Sequence, residues 1–397
     1  MKINFFKMEN KKSKNILVVS GVLHGHFTGS VEIVRELSSL GHNVTVYVLD
    51  DFKDRMKEVG AKVISYAVDR SDYQKFFPPQ APPAASANVI LFGRAFDTVI
   101  SLLSKDETKY DYYIFDSFFD IKEMNKIFKF PLDKYVLIYT SHIFTDEDQL
   151  DVTHMRKIGF KNLNEKYNLN FHEFVEVHYI PNKFKKLILT SKLFHYKSEN
   201  CDDTCYFMGP NIEKRKIDVN FKFQKDKNKT LIYVSCGTIF NNEDNYYKTC
   251  IEAFKDSDEY QLIMSVGKPT DISQFKDIPK NISIFNYVPQ TQLLPEVDIF
   301  ITHGGLNSTQ EGLSCGIPLI IIPQKYDQFD NARKIVQLEA GIFIDKNKTK
   351  INVDVLKDAV KNIMDNREKY KKGVDLINKS FIEARNNRKN IYEKIFV

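Results

Sequence analysis

Between residues 15 and 49 the chain runs from a β-rich stretch, Asn15–Ser20, through helical periodicity, Thr28–Leu40, into a second β-rich stretch, Asn43–Leu49. Two nearly continuous apolar strands separated by a helix read as a βαβ unit, and such a crossover pairs its strands in parallel. The alternation continues with Asp51–Val59 and Asn88–Ser104 as helices and with Lys62–Tyr66, Asp111–Asp116 and Tyr135–Thr140 as strands. Strands that are apolar on both faces need helices above and below, so the pattern predicts a doubly wound α/β sheet.

The pattern then stops and restarts. From Gly209-Pro210 to Thr230 the sequence is rich in Lys, Asn and Asp and has little apolar periodicity, as a linker between separately cored units would. Beyond it, Leu231–Cys236, Leu262–Ser265, Ile282–Phe285, Ile299–Thr302 and Leu319–Ile322 read as strands and Gln328–Leu338 as a helix. With 397 residues, 43% of them hydrophobic and including 31 Phe and 20 Tyr, the chain can fill two cores. The expected division is 1–210, a linker at 211–229, a second unit at 230–375 and a helical tail at 376–397. The insertion Phe77-Pro78-Pro79-Gln80-Ala81-Pro82-Pro83 fits no helix interior or central strand, because proline lacks an amide donor. It reads as a surface loop, within Phe76–Ala87.

Composition narrows the function. The 57 basic and 52 acidic residues are spread along the chain and leave a net charge of +5, too weak a field for a nucleic-acid partner. The lysine clusters Lys11–Lys14 and Lys183–Lys186 lie beside apolar runs and read as parts of ordinary folded segments. No stretch approaches the roughly 20 consecutive apolar residues of a membrane span, and the residues up to Asn15 do not resemble a signal peptide. The five cysteines lack the spacing of a disulfide framework or metal site, as expected for reduced thiols in a cytoplasm.

The densest chemical signal is Thr302-His303-Gly304-Gly305-Leu306-Asn307-Ser308-Thr309-Gln310-Glu311, which follows a strand and opens a helix. Free amides and the positive helix end there favour an anion, and the two glycines let a diphosphate approach the backbone. His303, Asn307 and Ser308 add side-chain donors. Upstream, Tyr287-Val288-Pro289-Gln290 sets a flat ring on a stiff turn, where a base could stack. Downstream, Asp327 and Gln328 follow the strand Leu319–Ile322, at the sheet edge where ligands collect in doubly wound folds.

Residues 285–332 together resemble the donor-binding signature of the family-one, UDP-dependent glycosyltransferases, which include plant natural-product enzymes and bacterial macrolide glycosyltransferases. The resemblance implies a GT-B fold, two Rossmann-like domains facing across a cleft, with acceptor bound by the first and nucleotide sugar by the second. It implies that the tail from about residue 376 returns to the first domain. By the same resemblance Tyr287 faces the base, Val288 and Gln290 bind base and ribose, and Glu311 binds ribose. His303, Asn307 and Ser308, with Gly305 beside them, hold the diphosphate, and Asp327 with Gln328 read the sugar. Ser235-Cys236-Gly237-Thr238 matches the family's small-residue loop, so Ser235, Gly237 and Thr238 join the donor site. Tyr287 stands where many members have tryptophan.

A hydroxyl attacks only when a base takes its proton. The loop Leu23-His24-Gly25-His26-Phe27-Thr28-Gly29 resembles the family's Gly-His loop, which makes His26 the base, His24 the reserve candidate and His42 structural. Asp116, ending the strand Asp111–Asp116, matches the acid that orients such a histidine, and Asp111 reads as a strand-start residue. Thr28-Gly29 replaces the proline that usually continues this loop.

The expected reaction is inverting, metal-independent transfer of a hexose, with UDP-glucose as the expected donor and no cofactor, to a small apolar acceptor such as a macrolide or phenolic. The protein is expected to act as a monomer or weak dimer. Asp146-Glu147-Asp148 fits an Asp-x-Asp metal motif in form but reads as a solvated acidic loop, and no dinucleotide or P-loop glycine motif is present. A glycolipid or cell-wall glycosyltransferase and a UDP-sugar 2-epimerase of the same fold are the alternatives.

Overall fold

The computed structural model describes residues 13–69, 83–119, 121–143, 153–169, 184–212, 218, 221–237, 244–267, 270–325 and 327–397. Seven strands form one parallel sheet: β1 Asn15–Val19, β2 Asn43–Leu49, β3 Lys62–Tyr66, β4 Tyr112–Asp116, β5 Tyr135–Tyr139, β6 Lys185–Ile188 and β7 Cys205–Phe207. Their order is β3-β2-β1-β4-β5-β6-β7. Six more form a second parallel sheet: β8 Thr230–Ser235, β9 Tyr260–Ser265, β10 Ile282–Phe285, β11 Ile299–Thr302, β12 Leu319–Ile321 and β13 Gly341–Phe343, in the order β10-β9-β8-β11-β12-β13.

The run-on apolar strands are explained by burial on both faces. Leu17 and Val19 point into one core with Ala95, Phe96 and Val99 of the helix Pro83–Leu103. Ile16 and Val18 point into the other with Phe27, Val31 and Val34 of the helix His24–Ser39. The second sheet divides in the same way, with Ile232 and Val234 on one face and Leu231 and Tyr233 on the other.

Several boundaries differ from the sequence expectation. The first helix begins at His24, not Thr28, so the Gly-His segment is helical rather than a loop. Its glycines weaken local helix propensity, but Phe27 is wholly buried and stacks on Phe52 at 4.2 Å, and tertiary packing supplies what propensity lacks. The Asp51–Val59 helix is reduced to a 3-10 turn and the short helix Lys53–Lys57. Pro83 opens the helix Pro83–Leu103 instead of closing a loop, a position that needs no amide donor. The rest of the proline-rich insertion, and Asp146-Glu147-Asp148, lie outside the described residues.

Lys186, from one of the basic clusters, is fully buried, bonds to Thr204 Oγ1 and lies 3.5 Å from the Asp202 carboxylate. Asp111 Oδ2 accepts the Asn15 backbone N–H at 2.8 Å, and His42 Nδ1 accepts that of Lys14 at 3.3 Å. Phe221 and Phe223 pack on the second unit's core. At the far end of the chain, Val374, Ile377 and Phe381 of the helix Arg367–Asn386 lie in that same core, whereas Ile391, Tyr392 and Ile395 of the helix Arg388–Ile395 lie against the first sheet. Arg388, between them, is buried and donates to the Met208, Gly209 and Pro210 carbonyls, to Asn211 and to Glu36.

Candidate functional site

Each sheet has one place where strand order reverses, between β1 and β4 in the first and between β8 and β11 in the second. Loops leaving the two strands at such a point diverge and leave a crevice, where doubly wound folds bind ligands.

In the first unit β1 leads to His26, in the opening turn of its helix, and β4 ends at Asp116. His26 Nδ1 lies 3.0 Å from Asp116 Oδ2 and 3.1 Å from Oδ1. Asp116 is almost wholly buried, and its Oδ1 also accepts the Phe118 backbone N–H at 3.0 Å. Thr140, just past β5, sets its hydroxyl 2.8 Å from His26 Nδ1. The Phe118 ring lies 3.9 Å from the imidazole, centroid to centroid. A side chain at Gly21 would strike His26 Cβ at 2.4 Å and Asp116 Oδ2 at 2.8 Å, so this close pairing requires a glycine there. The ring is thus fixed on several sides, with an anion at Nδ1.

In the second unit the helix Leu306–Ser314 begins after β11, with Gly305 at its N-cap and no side chain closing it. Its first amides therefore lack intrahelical partners, and the positive end of the dipole faces outward. His303 lies beside the loop after β8, where its backbone N–H reaches the Ser235 carbonyl at 3.4 Å. Gly237 has φ +78°, and a Cβ there would meet the His303 ring at 2.5 Å. Burial lowers the His303 pKa to about 4, with a hydrogen bond from the imidazole to the Ser235 backbone acting in the opposite sense. A neutral imidazole donates one N–H rather than acting as a counter-ion.

Gln290, Ser308 and Glu311 form one cluster. The Gln290 amide donates to Glu311 Oε2 at 2.6 Å and reaches Ser308 Oγ at 3.3 Å. Tyr287 is 52% exposed, an open ring face, whereas the Val288 side chain is buried in the core and leaves only its backbone for a ligand. Gln328 is buried and its Oε1 accepts the Gln324 and Lys325 backbone N–H groups at 2.7 and 3.1 Å. Burial raises the Asp327 pKa to about 6, with the His26 charge pulling the other way. Thr238 lies outside the described residues.

The two halves of the site touch. Asn307 donates from its amide to the Gly25 carbonyl at 3.2 Å and to Thr28 Oγ1 at 3.4 Å, in the same helical turn as His26. Thr140, Phe118 and Gly21 were not singled out by sequence reasoning, since an isolated Thr, Phe or Gly at a strand end carries no chemical signature. Asn331 was visible within the downstream motif but had no assigned role. Among the described residues no group of three or more His, Cys, Asp or Glu could hold a metal ion, and no helix is long and apolar enough to cross a membrane.

Two parallel α/β units, in contact through Asn307 near their switch points, have the GT-B glycosyltransferase architecture. The family model "Erythromycin biosynthesis protein CIII-like, C-terminal domain" matches residues 259–385. NDP-glycosyltransferase YjiC of Bacillus subtilis (strain 168) is 29% identical over 365 residues, covering 90% of this chain and 91% of that protein. Oleandomycin glycosyltransferase of Streptomyces antibioticus is 23% identical over 380 residues, covering 89% of this chain and 84% of that one. The solved structure of the glycotransferase of kitacinnamycin superposes with TM-score 0.76 at 21% identity, covering 96% of this chain and 99% of its own. Over about nine-tenths of its length the chain is similar to nucleotide-sugar glycosyltransferases, a bacterial macrolide enzyme among them.

Proposed function

We propose that this glycosyltransferase moves a hexose, with UDP-glucose as donor, onto a hydroxyl of a small apolar natural product, with inversion at the anomeric carbon. Residues 1–210 would carry the acceptor side and 230–375 the donor side, joined by 211–229 and by the tail 376–397. The relatives named for oleandomycin and kitacinnamycin support a natural-product acceptor.

The observation that carries this reading is the His26–Asp116 pair lying across a hydrogen-bonded contact from the open end of the helix Leu306–Ser314. With Nδ1–H held by Asp116, Nε2 carries the lone pair of a base, with the Thr140 hydroxyl 3.3 Å from it. Nε2 takes the acceptor proton, and the oxygen attacks the anomeric carbon from the face opposite the nucleotide. The bond from that carbon to the diphosphate oxygen breaks and its electron pair leaves with UDP. Asp116 stabilises the imidazolium that forms. His303, Asn307, Ser308 and the amides after Gly305 stabilise the departing diphosphate, where preorganised donors act most strongly. Tyr287 stacks on the base, the Val288 backbone and Gln290 bind base and ribose, and Glu311 holds ribose. Asp327 and Gln328 meet the sugar hydroxyls, and Ser235, Gly237 and Thr238 join the donor site.

The test is a matrix of UDP- and thymidine diphosphate sugars against macrolide, phenolic and lipid acceptors, read by mass spectrometry. A hexosyl adduct on a macrolide or phenolic is expected. Adducts on lipid alone would overturn the acceptor assignment, and isomerised sugar with no adduct would overturn the reaction.

A further inference from the structure

A chain of buried hydrogen bonds crosses from the first unit to the donor loop of the second. His142, shortly after β5, and Asn331, on the helix Gln328–Gln337, are both completely buried. The Tyr196 backbone N–H donates to His142 Nδ1 at 3.1 Å, which leaves the ring proton on Nε2. Nε2 then donates to Asn331 Oδ1 at 2.9 Å. The oxygen of the Asn331 amide being engaged, its nitrogen is turned toward Gly304 and donates to that carbonyl at 2.8 Å. Gly304 has φ +85° and is followed by Gly305, the N-cap of the helix Leu306–Ser314, which no side chain closes.

The direction of this chain cannot reverse without breaking it. Burial lowers the His142 pKa to about 4, so the ring stays neutral and keeps one acceptor and one donor. His195, also buried, supports the same turn: its Nε2 accepts the Ile143 N–H at 3.0 Å, and its ring meets His142 edge-on at 5.0 Å.

We infer that His142 is a positioning residue for nucleotide-diphosphate binding, acting through Asn331 to fix the Gly304 peptide and hence the amides that follow it. This rests on reading residues 303–308 as the diphosphate site. The first unit then contributes to donor affinity without touching the donor.

The histidine has two arms that can be removed separately. His142→Asn keeps an acceptor for the Tyr196 N–H but falls short of Asn331, whereas His142→Gln places an amide N–H near the position of Nε2. Asn331→Asp keeps the acceptor for His142 and sets a carboxylate oxygen against the Gly304 carbonyl. Titration of each full-length variant with UDP by calorimetry, alongside thermal melting and steady-state kinetics, separates the roles. The expected result is UDP binding about ten- to hundredfold weaker in His142→Asn and Asn331→Asp, the range for one misdirected buried hydrogen bond. Donor KM should rise while acceptor KM stays, and His142→Gln should recover most of the affinity. Folded His142→Asn and Asn331→Asp proteins that bind UDP as the wild type does would overturn the inference alone. Equal loss of affinity in His142→Asn and His142→Gln, tracking equal loss of melting temperature, would overturn it in favour of a purely structural role. If His142→Asn fails to fold, Asn331→Asp decides by the same criterion. Wild-type protein that binds neither UDP nor thymidine diphosphate would overturn the diphosphate reading and the inference with it.

Discussion

Replacing Asp116 by Asn should remove most of the turnover while leaving nucleotide affinity alone. The Phe118 N–H donates to Asp116 Oδ1 at 3.0 Å, so the introduced amide would keep its oxygen there and turn its NH2 toward His26 Nδ1. That NH2 needs a lone pair, which drives the imidazole proton from Nδ1 to Nε2. Nε2, now protonated, cannot take the acceptor proton, and the anion that stabilised the imidazolium is gone. Because Asp116 is 1% exposed, water cannot replace the lost charge. A positioned base contributes about 10²–10⁴ in rate, so kcat should fall by that factor, about 3–5 kcal/mol of transition-state stabilisation. Asp116 belongs to the first sheet and the proposed nucleotide contacts to the second, so the UDP dissociation constant should not move. His26→Ala and the double variant should fall to the same floor, since the pair acts as one unit. Product formation is followed with the donor and acceptor identified in the matrix above, and UDP binding by calorimetry. An Asp116→Asn enzyme that keeps more than about a tenth of wild-type kcat would refute the assignment, because no base would then be working at its usual strength.

The raised Asp327 pKa makes an opposite pair of predictions about stability and binding. Between the ordinary carboxylate range and about pH 6 the folded state holds a proton that the unfolded state has lost, so this group's contribution to stability falls as pH rises through that window. Asp327→Asn should therefore melt higher than wild type above pH 6 and converge with it near pH 4, while its donor KM is raised; melting curves across pH and steady-state kinetics check both. Wild-type donor KM should likewise rise as pH falls below about 6, where the protonated acid accepts hydroxyl hydrogen bonds poorly. Gly237→Ala forces a left-handed backbone angle on alanine and drives a methyl into the His303 ring, so a loss of about 1–2 kcal/mol in stability with weaker UDP binding is expected by denaturant melts and calorimetry. Arg388→Ala strips the donors from three buried carbonyls at residues 208–210, and a loss of about 3–5 kcal/mol should appear in chemical denaturation.

The local parts of this molecule were readable in its residues. The stretch from Thr302 to Glu311 announces a strand, a glycine turn and a helix start because those preferences depend on near neighbours. The helix from His24 was misread because it depends on remote contact: its glycine-bearing first turn is held by Phe27 on Phe52. Lys186, read as part of an ordinary folded segment, is sealed in the interior against Thr204 and Asp202, partners that only the paired β6 and β7 bring to it.

Alternating apolar runs determined two parallel, helix-covered sheets, and the glycines and helix-start residues determined the turn and uncapped helix end after β11. What only the tertiary structure decided is which side chains meet. Thr140 is 114 residues from His26, and His142 is 189 residues from Asn331. Secondary structure arises from hydrogen bonds and side-chain periods spanning a few residues, whereas these contacts exist only once whole sheets have packed and closed on each other.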